Sequence, residues 1–126
     1  MKAILDTSVL IAVMPSKFSG EFEISAVSLA ELHFGVLAST HPSRRAERIR
    51  RLEATQSTFR AIPIDERVAQ SYGRLCAVVN ASGRSVRSRT MDLLIAATAH
   101  ARGAALYTRN PKDLVGLERL IDIVVV

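Results

Sequence analysis

The chain has 126 residues and a mass of 13.7 kDa, which suits one domain of ordinary size and excludes two. Apolar residues make up 48% of it and charged residues 23%, a balance that excludes an intrinsically disordered chain. Its apolar runs are shorter than the ~20 residues of a membrane span, and no secretory signal pattern opens the chain. The single Cys76 fits a reducing cytoplasm. We therefore expect one cytoplasmic domain, residues 1–126, without a membrane partner.

The net charge of +5 is unevenly distributed along the chain. Residues 44–89 contain eleven arginines and four acids, whereas the two flanks together carry six basic and eight acidic residues. A basic block attracts polyanions, although many basic helix faces are only solvated surface. Charge alone leaves nucleic-acid binding open.

The N-terminal third predicts two short strands with a helix between them. An apolar strand over residues 2–5 precedes a buried helix over residues 9–14, which stops before Pro15. A second strand follows over residues 23–25. The alternation of strand and helix begins here.

Two helices and a third strand come next. Ser25 or Ser28 caps the first of these helices, which frays near residues 39–42. Ser43 is the expected cap of the second helix. The third strand covers residues 61–64.

The C-terminal half continues the same alternation. Asp65 caps a helix with an apolar stripe that runs to Val79, and residues 80–89 form a polar loop. Thr90 caps the last helix, which Gly103 terminates. The last two strands are residues 105–107 and 121–125.

Strands separated by helices predict right-handed crossovers and a mainly parallel sheet covered on both sides. The expected fold class is therefore α/β, a three-layer α/β/α domain. Ligands of such sheets bind outside the carboxyl ends of the strands. That edge is where functional residues are expected.

Four acids occupy this position, just past a strand or early in the following helix: Asp6, Glu31, Asp92 and Asp113. Each has a structural alternative, since Asp6 could cap a helix, Glu31 could be a solvated helix position, Asp92 could complement a helix dipole and Asp113 could serve a turn. Carboxylates gathered at one edge repel one another unless a cation neutralises them. With no cysteine or histidine cluster to offer a softer site, Mg²⁺ is the first candidate and Mn²⁺ the second.

Four stretches carry a resemblance to a known family. They are residues 5–11 (LDTSVLI), 24–32 (ISAVSLAEL) with Gly35, 92–99 (DLLIAATA) and 106–114 (LYTRNPKDL). In the order of these stretches the chain resembles the PIN-domain ribonucleases, and in size and spacing it resembles the VapC-type toxins of bacterial toxin–antitoxin pairs. The resemblance runs from end to end of the chain.

The resemblance implies roles for the acids and their neighbours. Asp6, Glu31 and Asp92 match the family's three principal acidic ligands, and Asp113 or Asn110 would complete the catalytic site, with Asp113 preferred as the only acid. Thr7 or Ser8, together with Thr108, would supply hydroxyl groups to the same pocket. The interval between Asp6 and Glu31 is shorter than the family's, so a helix is expected to be missing or reduced to a turn around residues 17–20. Leu114 stands where the family has an aromatic residue.

The implied activity is metal-dependent hydrolysis of RNA phosphodiesters by a water activated on carboxylate-bound Mg²⁺. The loop before Asp92 would grip the RNA backbone through Arg84, Arg87 and Arg89, or it is a mobile surface loop. The family also implies inhibition by a small antitoxin, a homodimer and a toxin–antitoxin hetero-oligomer.

Other classes fit less well. A phosphatase of the haloacid dehalogenase type needs a second aspartate where this chain has Ser8, and a phospho-acceptor receiver domain needs an acidic pair and a late lysine that are not evident. A PIN-like module that binds RNA without cleaving it remains an alternative, which the presence of Asp6, Glu31 and Asp92 disfavours.

Overall fold

The computed structural model describes residues 2–18 and 20–126. Within these residues strands and helices alternate as the sequence predicts. The strands are β1 (Ala3–Leu5), β2 (Phe22–Ser25), β3 (Arg60–Ile62), β4 (Ala105–Thr108) and β5 (Ile123–Val125). The α-helices are α1 (Thr7–Leu10), α2 (Ala26–Ala38), α3 (Pro42–Thr58), α4 (Glu66–Ala81) and α5 (Thr90–Arg102). Three short 3-10 helices cover Pro15–Lys17, Arg87–Arg89 and Pro111–Leu114.

The five strands form one parallel sheet in the order β3-β2-β1-β4-β5. Leu5, at the carboxyl end of β1, pairs with Ile24 of β2 and with Tyr107 of β4. Because all strands run the same way, their carboxyl ends meet at one edge of the sheet. The predicted α/β fold with a parallel sheet is confirmed.

The sheet separates two apolar cores. Side chains alternate across a strand, so Ile4 of β1 faces one core and its neighbour Leu5 faces the other. The Ile4 core is built mainly with α4 and α5, and the Leu5 core with α1, α2 and α3, including Leu52 and Phe59. Both β1 residues are fully buried. This arrangement of helices on both faces is the three-layer architecture expected of the sequence.

Helix ends follow the predicted capping residues in part. Ser25 caps α2 by accepting a hydrogen bond from the Val27 amide, and Asp65 caps α4 by accepting one from Val68. Gly103 ends α5 in the left-handed conformation at φ 61°, as predicted.

Two predicted caps are wrong. Helix α3 begins at Pro42, because proline is pre-organised for the first helical position, so His41 precedes the helix and Ser43 lies inside it. Helix α5 follows directly on the 3-10 helix Arg87–Arg89. Thr90 therefore already has helical backbone angles, and its hydroxyl donates to the Arg87 carbonyl.

The segment between Asp6 and β2 is short. The first helix ends at Leu10, earlier than the predicted residue 14, and only the 3-10 helix Pro15–Lys17 follows before β2 among the residues described. Part of the predicted turn, at Ser19, lies outside the described residues. A second full helix is therefore replaced here by one short turn.

Helix α3 carries much of the basic block. It is the longest helix, at 17 residues, and it buries only Leu52 and Thr55. Its arginines lie toward solvent or toward α1 and α2. In the part of the chain that the structure describes, no helix is both long enough and apolar enough to cross a bilayer.

The amino edge of the sheet holds an ionic cluster. Glu23, near the start of β2, is 6% exposed and forms ion pairs with Lys2, Arg60 and Arg102 at 3.5–3.8 Å. Its three cationic partners come from the starts of two neighbouring strands and the end of α5. The charge of this buried carboxylate is therefore neutralised within the chain.

Candidate active site at the carboxyl edge of the sheet

Four acids come together at the carboxyl edge, and we call them the acidic cluster: Asp6, Glu31, Asp92 and Asp113. Asp6 directly follows β1, Glu31 lies in the second turn of α2, Asp92 lies in the first turn of α5, and Asp113 lies in the 3-10 helix after β4. A narrow pocket is lined by three of these acids together with Thr108 and Asn110. The predicted convergence at one edge is thus observed.

The carboxylate of Asp6 is held by two hydroxyl groups. Its Oδ2 accepts hydrogen bonds from Ser8 at 2.6 Å and from Thr108 at 2.9 Å. Its backbone amide donates to the Tyr107 carbonyl at 2.9 Å, which continues the pairing of β1 with β4. Asp6 occupies the N-cap position of α1, but its side chain makes no capping hydrogen bond. Helix capping is therefore not the role of this side chain.

The two hydroxyl groups on Asp6 are themselves fixed by the turn that follows β4. Ser8 accepts from the Arg109 amide at 3.0 Å, and Thr108 accepts from the Asn110 amide at 3.0 Å. Each hydroxyl therefore receives one hydrogen bond from the backbone and gives one to Asp6. Thr108 lines the predicted pocket, whereas Ser8 does not line it but contacts Asp6 beside it, and both hydroxyl groups bind the same Asp6 oxygen, Oδ2.

Glu31 is held from the other side of the site. The Thr7 hydroxyl donates to Glu31 Oε1 at 2.7 Å, and it lies 2.9 Å from the fully buried Ser28 hydroxyl. A carboxylate accepts but does not donate, so the single Thr7 proton goes to Glu31 and Ser28 donates to Thr7. This chain of hydrogen bonds ties α1 to α2 at the acidic cluster.

The pKa of Asp92 is raised by burial and by the other three carboxylates of the acidic cluster. Burial, followed in size by the negative charges of Asp6, Asp113 and Glu31, raises its pKa from the ordinary 3.8 to about 6. Arg89 is the nearby group that lowers this pKa, and its effect is the smallest of the five. The acidic cluster is therefore under-neutralised by the chain's own cations.

The turn after β4 supplies two candidates for the fourth position. Asp113 is half-buried and lines the pocket, whereas Asn110 lines it while remaining exposed. The Asp113 amide donates to the Asn110 carbonyl at 3.3 Å, so the two residues share one turn. Of these two residues, only Asp113 carries a negative charge that raises the pKa of Asp92, in addition to the larger effect of burial.

The three predicted arginines before Asp92 lie in different surroundings. Arg84 donates to the Lys112 carbonyl at 2.9 Å, which ties its loop to the turn carrying Asp113. Arg89 donates to the Ser85 carbonyl at 2.8 Å, and Arg87 is exposed. Arg89 and Arg84 therefore flank the acidic cluster, while Arg87 faces solvent.

The donor set fits a hard divalent cation. All four side chains offer carboxylate oxygens, the ligands that Mg²⁺ and Mn²⁺ prefer. Burial first, and then the negative charges of Asp6, Asp113 and Glu31, raise the pKa of Asp92. Within the described residues, no three His, Cys, Asp or Glu side chains are already arranged as a metal-binding group. The cluster thus has the chemistry for a cation without a completed ligand cage.

Sequence reasoning missed two parts of this region. The sequence predicts Ser28 only as a helix cap, yet it is the buried partner of Thr7. Arg48 and Arg51 of α3 reach carbonyl groups of α2 and α1 beside the site. A signal for Ser28 existed, since it lies three residues before Glu31 and so shares a helix face with it. The arginine contacts depend on helix packing and have no such signal.

Comparison with known proteins identifies the family of the chain. The model of the PIN domain matches residues 3–115. Ribonuclease VapC4 of Mycobacterium tuberculosis is 35% identical over 115 residues, 86% of each chain. Ribonuclease VapC5 of the same organism is 33% identical over 129 residues, which covers 98% of this chain and 93% of the relative.

A solved structure supports the same relationship. A member of the VapBC family of toxin–antitoxin systems, VapBC-5 from Mycobacterium tuberculosis, is 32% identical and superposes with a TM-score of 0.83. The match covers 99% of this chain and 97% of the other. A DNA-bound VapBC from Salmonella typhimurium, 24% identical with a TM-score of 0.80, shares the fold over 99% of this chain and 98% of the other. The chain therefore belongs to the PIN-domain family and, within it, to the VapC ribonucleases.

Proposed function

We propose that this protein is a metal-dependent endoribonuclease and the toxin of a toxin–antitoxin pair. The observation that carries the proposal is the acidic cluster, in which burial and then three neighbouring acids raise the pKa of Asp92, and only the smaller effect of Arg89 lowers it. The names of its relatives, ribonucleases VapC4 and VapC5, support the reaction class.

We propose Asp6, Glu31, Asp92 and Asp113 as the residues that hold the cation, with Mg²⁺ preferred and Mn²⁺ as the alternative. A bound divalent ion lowers the pKa of a coordinated water and stabilises negative charge on phosphate oxygens. Asp6 and Asp92 are the proposed principal ligands. Glu31 and Asp113 complete the site or orient the attacking water.

The residues around the cluster position these carboxylates and the RNA. Ser8 and Thr108 keep Asp6 Oδ2 occupied, so Oδ1 is the oxygen left for the metal. Asn110 lines the pocket and is assigned to the RNA backbone. The loop arginines Arg84, Arg87 and Arg89 are assigned to phosphate groups, and Arg89 is the one whose charge lowers the pKa of Asp92.

The proposed partner is a small antitoxin that covers the acidic cluster and blocks RNA access. VapBC-5, the 32% identical relative, is described as a toxin–antitoxin system, which supports this assignment. The uncompensated carboxylates are a suitable target for a basic side chain of such a partner. We further propose a homodimer, a toxin–antitoxin hetero-oligomer and a cytoplasmic location, the last consistent with one unpaired cysteine.

Incubation of the purified protein with total RNA, followed by sequencing of the new 5′ ends, tests the proposal. Cleavage at defined sites that requires Mg²⁺ and stops with EDTA is expected. The Asp6→Ala variant is the control and leaves RNA intact. Metal-independent or absent cleavage by the wild type would contradict the proposal, and RNA binding without cleavage would favour a non-catalytic PIN-like module.

A further inference from the structure

A cleft opens beside the acidic cluster, between α1, α2 and α3. Its volume is about 470 Å³, and we call it the α3 cleft. Thr7 and Glu31 line the end nearest the acidic cluster, and Arg44, Arg48 and Arg51 of α3 line the cleft as well. Because Glu31 belongs to both features, the cleft leads directly away from the proposed site of cleavage.

Two of the three arginines are anchored by one nitrogen each. Arg48 Nη1 donates to the Gly35 carbonyl at 2.6 Å, and Arg51 Nη1 donates to the carbonyls of Leu10 at 2.9 Å and Val13 at 3.4 Å. The remaining guanidinium nitrogens of both side chains have no hydrogen-bond partner among the residues described. Anchoring fixes the guanidinium groups in place, so less side-chain entropy is lost when the remaining donors bind a ligand.

Structural capping explains only part of this arrangement. The Gly35, Leu10 and Val13 carbonyls lie at or just beyond helix ends, where a cation is favourable. Capping does not explain Arg44, whose side chain makes no hydrogen bond or ion pair with any described residue.

The charge balance of the α3 cleft favours an anion. Three guanidinium groups face Glu47 and Glu31 there, and none of the three lies within ion-pair distance of an acid in the described part of the chain. A cation bound at the acidic cluster would offset the charge of Glu31. Three positive charges would then face a single negative one.

We propose that the α3 cleft binds phosphate groups of single-stranded RNA next to the scissile bond, through Arg44, Arg48 and Arg51. This inference rests on the proposed ribonuclease function and adds a substrate subsite to it. Pockets of about 300–1,000 Å³ hold small organic ligands, so one nucleotide fits. None of the described residues that line the cleft is aromatic, so contact is made with the backbone and not by base stacking. The subsite positions RNA without reading its sequence.

Salt-dependent RNA binding tests the subsite. The ligand is a fluorescent single-stranded RNA of about 12 nucleotides, longer than the smallest sites that track a single strand. All proteins carry Asp92→Asn so that the RNA is not consumed. Arg44→Gln/Arg48→Gln is compared with Arg50→Gln/Arg74→Gln, which removes the same charge at exposed residues outside the cleft. Arg51 is left intact because it anchors the end of α1.

The cleft pair is expected to lose about tenfold in affinity. The plot of the logarithm of the RNA association constant against the logarithm of the salt concentration should become shallower. The magnitude of its slope is expected to decrease by about 1.4, or about 0.7 for each phosphate that an arginine no longer neutralises. The control pair is expected to change both quantities by less than half as much. Equal effects of the two pairs, or no RNA binding by the parent protein, would overturn the subsite. Thermal melting checks that all variants fold.

Cleavage kinetics with Asp92 restored separates this inference from the ribonuclease proposal. The cleft pair should raise KM with little change in kcat, because its arginines bind RNA away from the reacting atoms. Normal wild-type cleavage with an unchanged KM in the cleft pair would refute the subsite alone. A cleft pair that keeps its RNA affinity but fails to retain a co-expressed antitoxin would assign the cleft to a protein partner and overturn the proposal.

Discussion

The Thr7 hydroxyl donates a 2.7 Å hydrogen bond to Glu31 Oε1 and is itself held by buried Ser28. Thr7 and Glu31, 24 positions apart, connect the start of α1 to α2 at the acidic cluster. Because Oε1 is engaged by Thr7, the orientation of the Glu31 carboxylate is fixed before any cation binds. Thr7 is therefore a positioning residue for the proposed metal site.

Replacing Thr7 with valine removes this hydrogen bond while keeping the side-chain shape. Partners that orient metal ligands are typically worth about 10–100-fold in metal affinity or activity, so we expect a roughly tenfold higher Mg²⁺ requirement. Mg²⁺ titration of RNA cleavage measures it. Thr7→Ser keeps the hydroxyl and should restore the wild-type requirement, whereas identical Mg²⁺ curves for wild type and Thr7→Val would contradict the role.

Loss of either proposed principal ligand should abolish cleavage without unfolding the chain. Asp6→Asn and Asp92→Asn keep side-chain size, and each is expected to reduce kcat/KM by more than about 100-fold, beyond the effect of an orienting partner. Gel assays with a labelled RNA and circular dichroism of the same samples provide the measurement. Full activity of either folded variant would remove that residue from the metal site.

Asp92 should destabilise the metal-free protein at neutral pH. Its folded-state pKa, about 6, exceeds the ordinary 3.8, so folding favours the protonated form. The stability that the folded state gains from protonated Asp92 is complete below pH 3.8 and is lost as the pH rises through about 6. Asp92→Asn should therefore stabilise the protein by about 1–2 kcal/mol at a pH of about 7.5, after allowance for solvent screening. The gain should shrink toward a pH of about 4.

Urea unfolding in EDTA, at pH values of about 4, 6 and 7.5, measures this difference. Burial, Asp6, Asp113 and Glu31, in that order of size, raise the pKa of Asp92, and Arg89 lowers it. Arg89→Gln should therefore enlarge the stabilisation by Asp92→Asn. If Asp92→Asn and the wild type had the same free energy of unfolding at every pH, the ionised Asp92 would not destabilise the folded protein.

Divalent ions should stabilise the wild type. Mg²⁺ at about ten times its Kd adds about 1.4 kcal/mol to the free energy of unfolding. In a chain of this size that corresponds to a rise of about 5 °C in Tm. Differential scanning fluorimetry with and without Mg²⁺ measures the shift, and the Asp6→Asn/Asp92→Asn double variant should lose it. An equal shift in the double variant would place the ion elsewhere.

The Asp65 cap offers a control outside the acidic cluster. Asp65→Ala removes the hydrogen bond to the Val68 amide and should cost about 1 kcal/mol of stability. RNA cleavage at room temperature should be unchanged, because Asp65 is outside the acidic cluster. A loss of activity in the folded variant would mean that α4 contributes to catalysis.

The alternation of strands and helices, and the position of the acids at the carboxyl edge, could be predicted from the sequence because both follow from local patterns and the rules of parallel sheets. Asp6 ends an apolar strand, and the parallel topology sends every such residue to the same edge. The hydroxyl groups of Ser8 and Thr108 were expected in the pocket from the family resemblance, and local rules alone do not predict their contacts with Asp6. Thr108 meets Asp6 across 102 positions, through strand pairing that only the folded sheet defines. The predicted cap at Ser43 failed because Pro42 determines where α3 begins.

The α3 arginines illustrate a different limit. Periodicity places Arg48 and Arg51 on a polar helix, but it does not tell which of them turns toward a neighbouring helix end. That outcome depends on the packing of α3 beside α1 and α2. A charge run in the sequence therefore indicated a candidate surface without dividing it into solvated and structured arginines.

The buried carboxylate of Glu23 and the carboxylates of the acidic cluster lie at opposite edges of the sheet and differ in their cationic neighbours. At the amino edge, the buried carboxylate of Glu23 has three cationic side chains within ion-pair distance, those of Lys2, Arg60 and Arg102. At the carboxyl edge, none of the four acids of the acidic cluster forms an ion pair with a described residue, so their negative charge can be neutralised by a cation from outside the chain. Under the proposed function, a metal ion and a basic antitoxin side chain would compete for the same carboxylates, so antitoxin release and metal loading should be linked steps.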